Sequence, residues 1–181
     1  MKIVDVTNED SITRQIAEIL IDGFRDTGSN DWATIESALA EVRGSLSENR
    51  ISRMAIDENG EVLGWIGGIE EYNGNVWELH PLVVRRNIQK QGIGCALVED
   101  LEREVKMRGG SVVRLGADDE NNRTSIGGVD LYPKVLENLS NIKNLRRHPF
   151  EFYQKLGYVI TGVIPDANGF GKPDILMCKR V

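Results

Sequence analysis

Hydrophobic residues alternate with polar ones in several short stretches near the start of the chain. This two-residue period predicts a first strand over Lys2–Val6 and three more over 51–56, 62–69 and 76–84. The connections Glu58-Asn59-Gly60 and Tyr72–Asn75 are short, and an Asn-Gly pair supplies the positive φ angles of a tight hairpin turn. The last three strands are therefore predicted to form an antiparallel meander.

Elsewhere the apolar spacing changes to three and four residues, which is typical of helices packed by one face. The helical segments begin after Asn8, near Asp31, at Gly92 and at Pro149, and the clearest of them is 92–108. A strand over 111–115 follows that helix, which predicts a crossover between parallel strands. A helical piece around 131–139 and two final strands, 158–164 and 175–179, complete an α/β (α+β) pattern. We predict a single domain over residues 1–181.

Composition narrows the class of protein. The chain has 181 residues, 40% of them hydrophobic, and a formal net charge of −6, which fits one domain with a full core and argues against a nucleic-acid surface. The negative net charge is compatible with a cationic ligand. No segment has the ~18 continuous apolar residues of a membrane helix, so a soluble, cytoplasmic protein is expected. Cys95 and Cys178 lack metal-ligand or disulfide spacing.

The first candidate for chemistry is the loop before the clearest helix. Its glycines allow backbone N–H groups to approach a phosphate, and the helix N-terminus adds partial positive charge, so a pyrophosphate site is predicted. Arg85 and Arg86 add charge at the same end, and an ordinary loop is the alternative. The candidate residues are Gln89, Lys90, Gln91, Gly92, Ile93 and Gly94.

The second candidate is the strand that precedes this loop. Its two-residue period places Glu78, His80, Leu82 and Val84 on one face, with a carboxylate and an imidazole pointing the same way. Pro81 cannot donate to the ladder, so we expect the pairing to be interrupted there and the sheet to open for an extended ligand. A solvated sheet face is the alternative.

These residues resemble a known family, the GNAT superfamily of N-acetyltransferases, through the Q-x-x-G-x-G loop and the FYQKLGY segment near the C-terminus. The segments WELHPLVV, GADDEN, NLRRHPFEFYQKLGY and GVIPDANGFGKPDI are similar to those of enterococcal-type aminoglycoside 6'-N-acetyltransferases. The resemblance covers most of the chain from Val62 onward. The family's Trp-Pro-Glu segment, part of the acceptor wall, has no clear equivalent, and Asp31-Trp32 is the nearest candidate.

The resemblance implies a GNAT fold, with a mixed, mostly antiparallel sheet splayed between two parallel central strands and flanked by helices. It also implies direct transfer from acetyl-CoA in a ternary complex, without a metal. In that case Glu78 matches the general base, His80 orients the acceptor or a water, and Tyr153 protonates the leaving thiolate. The backbone of Leu82, Val83 and Val84 would hold the pantetheine arm. Asn144 is a further pantetheine candidate or, alternatively, a cap for the following turn.

The acceptor implied by the resemblance is a primary amine, with the 6'-amine of an aminoglycoside first. Candidate acceptor contacts are Tyr72, Trp77, Asp118, Asp119 and Asp130. A wet acidic loop is the alternative for the aspartates, and a core position is the alternative for Trp77. A polyamine, a peptide or a small metabolite amine are other acceptors, and a coenzyme A binding module without turnover is a rival function. A homodimer is expected by analogy. His148 is interpreted as a helix-start residue without a catalytic role.

Overall fold

The computed structural model describes residues 1–28 and 31–181, which fall into two compact units. The first unit comprises Met1–Val113 together with Val181, and the second comprises Arg114–Arg180. The boundary lies inside a strand, and the predicted single domain stays a prediction.

The first unit is an antiparallel meander with helices on both faces. Its elements are β1 (Lys2–Asp5), α1 (Asp10–Phe24), α2 (Ile35–Gly44), β2 (Arg50–Ile56), β3 (Val62–Glu71), β4 (Val76–Val84) and α3 (Ile93–Met107). The strands pair in the order β1-β2-β3-β4, each antiparallel to the next. The meander predicted from the alternating pattern is therefore confirmed.

Helices α1 and α2 pack together, and they cover one face of this sheet while α3 covers the other. Gly23 of α1 lies against Val83, whereas Gly68 lies against Leu101 of α3. The apolar stripe of α1 supplies Ile16 and Leu20 to the core, where both residues are fully buried. Small residues at these crossings let the helices approach the sheet closely.

Two local predictions needed correction. Helix α2 begins at Ile35 rather than near Asp31, because Thr34 caps it by a reciprocal pair of hydrogen bonds with Ser37. The turn between β2 and β3 has a positive φ at Gly60 but not at Asn59. The carboxylate of Asp57 closes that loop by accepting the N–H groups of Asn59 and Glu61, 2.8 and 2.9 Å away.

The fifth strand, β5 (Val112–Asp118), starts in the first unit and continues into the second. The N–H groups of Ser111 and Val112 both donate to the carbonyl of Asn75, the residue before β4. Because the two strands begin side by side, β5 runs parallel to β4 at this point, as the crossover predicted.

The second unit contains the rest of β5 and two antiparallel strands that follow it in the order β5-β7-β6. Its other elements are α4 (Val135–Ser140), α5 (Phe150–Lys155), β6 (Val159–Ile164) and β7 (Asp174–Arg180). No helix within 1–28 and 31–181 is long and apolar enough to cross a membrane.

Candidate active site

A bulge in β4 is the central feature of the first unit's candidate site. One residue of β3, Gly67, lies opposite two residues of β4, His80 and Pro81. The strands pair regularly on both sides of this point. The interruption predicted from Pro81 is confirmed. Gly67 is required here, because a Cβ would lie within 3.0 Å of the His80 carbonyl oxygen, closer than side chains tolerate.

The bulge corrects the predicted face of the strand. With one extra residue in β4, the alternation of side chains reverses between the two halves. Val84 lies beside Leu97 on the α3 face, together with Leu82. Glu78 and His80 lie on the opposite face, toward α1 and α2. The carboxylate and the imidazole do share a face, as expected, but not with Leu82 and Val84.

The imidazole of His80 forms one wall of a surface pocket of about 480 Å³. The ring of Trp32 packs on that of His80, with centroids 5.5 Å apart. Phe24 packs edge-on against Trp32, with centroids 4.6 Å apart. Two carboxylates, Asp31 and Glu41, also line the pocket, and Glu41 is 3.7 Å from Arg50. Arg50 also lines the pocket, together with Ser37, Ala40 and Gly44. This pocket was missed from the sequence, apart from Asp31-Trp32 as a candidate wall.

After the bulge, every second residue of β4 directs its backbone N–H and C=O groups away from β3. The N–H of Arg85 donates to the carbonyl of Leu63 at 2.9 Å, and antiparallel pairs alternate between bonded and non-bonded positions. Val83 is therefore bonded to β3, whereas Leu82 and Val84 direct their N–H and C=O groups to the other side. The Gln89 side chain already donates to the Val84 carbonyl at 3.1 Å. An extended ligand with amide groups could pair with Leu82.

The loop before α3 keeps the shape expected of a phosphate site. Gly92 has φ +87° and caps the helix, and a Cβ on it would meet nothing within 4 Å. Lys90 also has a positive φ, 65°, and is exposed. The first N–H groups of α3 have no partner within the helix, so they are available to an anion. These features fit a pyrophosphate group.

The two arginines next to this loop serve the fold instead. Arg85 donates to the carbonyl of Val62 at 2.6 Å, and Arg86 binds Asp26 at 2.6 Å and the carbonyl of Asp22 at 2.7 Å. The charge expected from them at the phosphate loop is therefore largely compensated by their own partners. Lys90 is exposed at this loop and adds a further positive charge.

In the second unit, Tyr153 lies on α5 and is 9% exposed. Its ring packs edge-on against Tyr158, with centroids 5.7 Å apart. Burial raises the pKa of the Tyr153 phenol above its ordinary value, so the hydroxyl is protonated at neutral pH. Tyr158 is 2% exposed, whereas Phe152 is half-buried.

The two candidate aspartates of the acidic loop after β5 differ in their surroundings, and their role in acceptor binding stays a prediction. Asp119 is fully buried and accepts the N–H of Arg123 at 2.6 Å and both the N–H and hydroxyl of Thr124 at 2.8 and 2.7 Å. Asp118 accepts the side-chain amide of Asn168. Asp119 therefore serves the loop itself, whereas the carboxylate of Asp118 stays exposed.

Three further candidates also have structural partners. Trp77 is 2% exposed and donates to the carbonyl of Gly74, so it belongs to the core. Asn144 bonds both the N–H and the C=O of His148, at 2.7 and 2.9 Å, which is the capping alternative. Asp130 accepts the N–H of Tyr132 at 3.0 Å in a local turn. Tyr72 is 76% exposed.

Comparison with known proteins identifies the chemistry. Residues 14–134 match the model of the acetyltransferase (GNAT) family. The chain belongs to the GNAT family of acetyltransferases. A search of curated proteins gave no match.

Solved structures agree with this membership. An aminoglycoside 6'-N-acetyltransferase complexed with coenzyme A is 40% identical, with 99% of this chain and 97% of that chain covered and a TM-score of 0.90. The aminoglycoside 6'-N-acetyltransferase from Enterococcus faecium is also 40% identical over the same shares, with a TM-score of 0.89. The ribosomal-protein-S18-alanine N-acetyltransferase from Escherichia coli, 15% identical over 99% and 93% of the two chains with a TM-score of 0.64, shares the fold.

The GNAT fold and its mixed sheet, expected from the resemblance, are thus confirmed. The protein is an acetyltransferase that uses acetyl-CoA, as expected for this family. Among the residues that the structure describes, no group of three or more His, Cys, Asp or Glu side chains is arranged around a metal position.

Proposed function

We propose that this acetyltransferase transfers the acetyl group of acetyl-CoA to the 6'-amine of an aminoglycoside, by direct attack in a ternary complex. The observation that carries the proposal is the 40% identity to two aminoglycoside 6'-N-acetyltransferases over nearly the whole of both chains. Likeness over that length includes the segments that differ most between GNAT enzymes with different acceptors.

The pocket beside His80 supports a cationic acceptor. Aminoglycosides carry several protonated amines, and the pocket wall holds two carboxylates, Asp31 and Glu41, against one guanidinium, that of Arg50, which pairs with Glu41. Trp32 adds an aromatic surface against which a sugar ring can pack. We therefore propose that this pocket binds the acceptor.

Glu78 is the proposed general base. The acceptor amine is protonated at neutral pH and must lose a proton before it can attack a thioester. Glu78 is half-buried and lies on the same sheet face as His80, so a carboxylate faces the side on which the acceptor pocket opens. His80 would orient the acceptor or a bridging water.

The acetyl donor is held by backbone groups. In the proposal, the N–H groups at the start of α3 and the loop from Gln89 to Gly94 bind the pyrophosphate, and Leu82 to Val84 bind the pantetheine arm. Acetyl-CoA supplies the activated thioester. The N–H of Leu82, which points away from β3, would stabilise negative charge on the carbonyl oxygen without reorganisation.

Tyr153 is the proposed general acid. A phenol, with an ordinary pKa of about 10, is protonated through the neutral range, which is the state required of a proton donor. The departing thiolate of coenzyme A would take this proton. General acid or base groups typically contribute about 10²–10⁴ in rate, so each role has a measurable size.

A thiol-release assay tests the acceptor. Acetyl-CoA is offered with kanamycin, tobramycin, spermidine and a lysine peptide, and product is located by NMR on the aminoglycosides. Turnover on the 6'-amine of kanamycin and tobramycin, with little on the other two, is expected. Faster turnover of spermidine or the peptide would refute the acceptor, and coenzyme A binding without turnover of any amine would refute the enzymatic assignment.

The catalytic roles need matched variants. We expect Glu78→Gln and Tyr153→Phe each to lower kcat by about 10²-fold or more. Glu99→Gln, on an exposed position of α3, and Tyr132→Phe, on an exposed tyrosine, make the same chemical changes elsewhere and should leave kcat unchanged. Wild-type kcat in Glu78→Gln or Tyr153→Phe would refute the corresponding role.

We further propose that the protein acts as a cytoplasmic homodimer with residues 1–181 folding as one domain. Sedimentation equilibrium at micromolar concentration is expected to give twice the mass of the 20.2 kDa chain. A monomer under these conditions would refute the dimer.

A further inference from the structure

His148 is a buried histidine of the second unit that the proposed chemistry does not use. It is 2% exposed and stands two residues before the start of α5, separated from it by Pro149. A buried imidazole needs partners for both ring nitrogens. Those partners define what the residue does.

The two ring nitrogens of His148 join the end of β5 to the start of α5. Nε2 lies 3.0 Å from the backbone oxygen of Asp118, and Nδ1 accepts the N–H of Phe150 at 3.3 Å. Because a carbonyl can only accept, Nε2 must carry the proton and Nδ1 must be the acceptor. One neutral imidazole therefore links the last residue of the strand to the first residue of the helix.

The backbone of His148 is fixed as well. The Asn144 side chain bonds its N–H and its C=O, and the guanidinium of Arg123 donates to the carbonyls of residues 146 and 147. The backbone of Arg123 is in turn held by buried Asp119. The turn that carries the imidazole is thus anchored to the loop after β5 on both sides.

Helix α5 depends on this anchor for its position. It has six residues, and helices shorter than about 12 residues are marginal by themselves in water. Tyr153 lies in its interior, one turn after the His148 contact. A shift at Phe150 would therefore be carried directly to the phenol.

We propose that His148 is a positioning residue for the acetyl transfer: by joining Asp118 to Phe150 it fixes α5 and so places the Tyr153 hydroxyl for protonation of the leaving thiolate. The inference rests on the proposed role of Tyr153 as general acid. His148 itself contacts neither substrate in this proposal.

The charges around the imidazole are consistent with a neutral ring. Burial lowers the pKa of His148, Asp118 and Asp119 act in the opposite direction, and Arg123 reinforces the lowering. Protonation at acid pH would convert Nδ1 into a donor facing the N–H of Phe150. The link to α5 would then be lost.

Three substitutions separate the two hydrogen bonds. His148→Ala removes both. His148→Gln keeps an amide N–H long enough to reach the Asp118 carbonyl, and His148→Asn keeps a short acceptor for the N–H of Phe150 without that reach. We expect all three variants to lower kcat by about 10-fold to 10²-fold, within the limit set by the general-acid contribution, because each breaks the link between Asp118 and Phe150 at one end or at both. The KM for acetyl-CoA should change by less than about twofold in all three.

A double-mutant cycle with Tyr153→Phe gives the decisive measurement. If His148 acts through the phenol, His148→Ala lowers kcat in the wild-type background and has no further effect in Tyr153→Phe. Losses that multiply in the double variant would overturn the inference. Thr13→Ala, which removes another buried side-chain hydrogen bond, in α1, is the control for destabilisation alone and should leave kcat unchanged.

The outcomes distinguish this inference from the function on which it rests. A lowered kcat in Tyr153→Phe together with a wild-type kcat in His148→Ala refutes only the positioning role. Wild-type kcat in Tyr153→Phe refutes the general acid and the positioning role together. Should His148→Ala fail to fold, the other two variants decide, because wild-type kcat in either His148→Asn or His148→Gln contradicts the link between β5 and α5.

Discussion

Replacement of Gly67 by alanine tests whether the bulge in β4 places the catalytic face. The added methyl would lie within 3.0 Å of the His80 carbonyl oxygen, 3.2 Å from the carbonyl carbon and 3.5 Å from Cδ of Pro81. The obstruction is backbone, so it cannot be relieved by turning a side chain. One strand must move by roughly 1 Å, and a displacement of that size at a catalytic group can cost about 10²-fold in rate.

The stability cost should be smaller than the functional cost. Overpacking of a well-packed interior typically costs about 1–3 kcal/mol, which a folded domain of this size can tolerate. We therefore expect Gly67→Ala to fold, to lose about 10²-fold in kcat with a saturating aminoglycoside, and to retain its affinity for coenzyme A. Chemical denaturation, calorimetry with coenzyme A and steady-state kinetics measure the three quantities.

Gly162→Ala is the matched control. Gly162 also lies in a strand, has no positive φ, and an added Cβ would meet only a Leu176 methyl at 3.6 Å, an ordinary contact. This variant should keep wild-type kcat. If Gly67→Ala were equally active, the bulge would not control the position of Glu78 and His80, and the account of the site built on it would be refuted.

Four more predictions follow from individual contacts. Trp32→Ala should raise the KM for kanamycin by about 10-fold or more, through loss of aromatic packing, and an unchanged KM would exclude the pocket as the acceptor site. Gly92→Ala should raise the KM for acetyl-CoA and not that for the acceptor, because φ +87° strains any side chain by about 1–2 kcal/mol; equal effects on both substrates would contradict this. Asp119→Asn should lower the free energy of unfolding by about 1.5–3 kcal/mol, the size of one hydrogen bond to a charged group, as measured in urea, and a neutral result would contradict its internal role. Because burial lowers the pKa of His148, the unfolded chain binds more protons than the folded one, so the free energy of unfolding should be full above about pH 6.5 and fall below it. His148→Gln should flatten the dependence of that free energy on pH between pH 7.5 and 5.5. The same pH dependence in the variant and the wild type would refute the assignment.

Most of the fold could be predicted from periodicity because each element buries one regular face. The antiparallel meander and the long helix α3 follow from two-residue and helical spacing that nothing nearby interrupts. The start of α2 was missed because Thr34 and Ser37 form a cap whose sequence lacks the usual Glu or Gln. Capping is a local contact that periodicity does not report.

The site was harder to predict because its geometry depends on a register change and on long-range partners. Pro81 indicated where pairing would fail, yet only the pairing of Gly67 with two residues shows that the face reverses there. Asp118 and Asp119 look like a solvent-facing acidic patch in sequence. Asn168, the partner of Asp118, lies in another loop, and no local pattern identifies that contact. Asp119 instead bonds Thr124 of its own loop, and its complete burial is what the charged sequence does not indicate.

The reversed face in β4 has a consequence for how such an enzyme diversifies. The half of the strand that presents Glu78 and His80 looks toward the helices α1 and α2, while Leu82 and Val84 direct their backbone groups to another side. In the proposed function, changes in the segment between Asp31 and Gly44 would therefore reshape the acceptor pocket without altering the backbone groups that hold the acetyl donor. A single inserted residue in one strand thus lets two selective pressures act on separate parts of the chain.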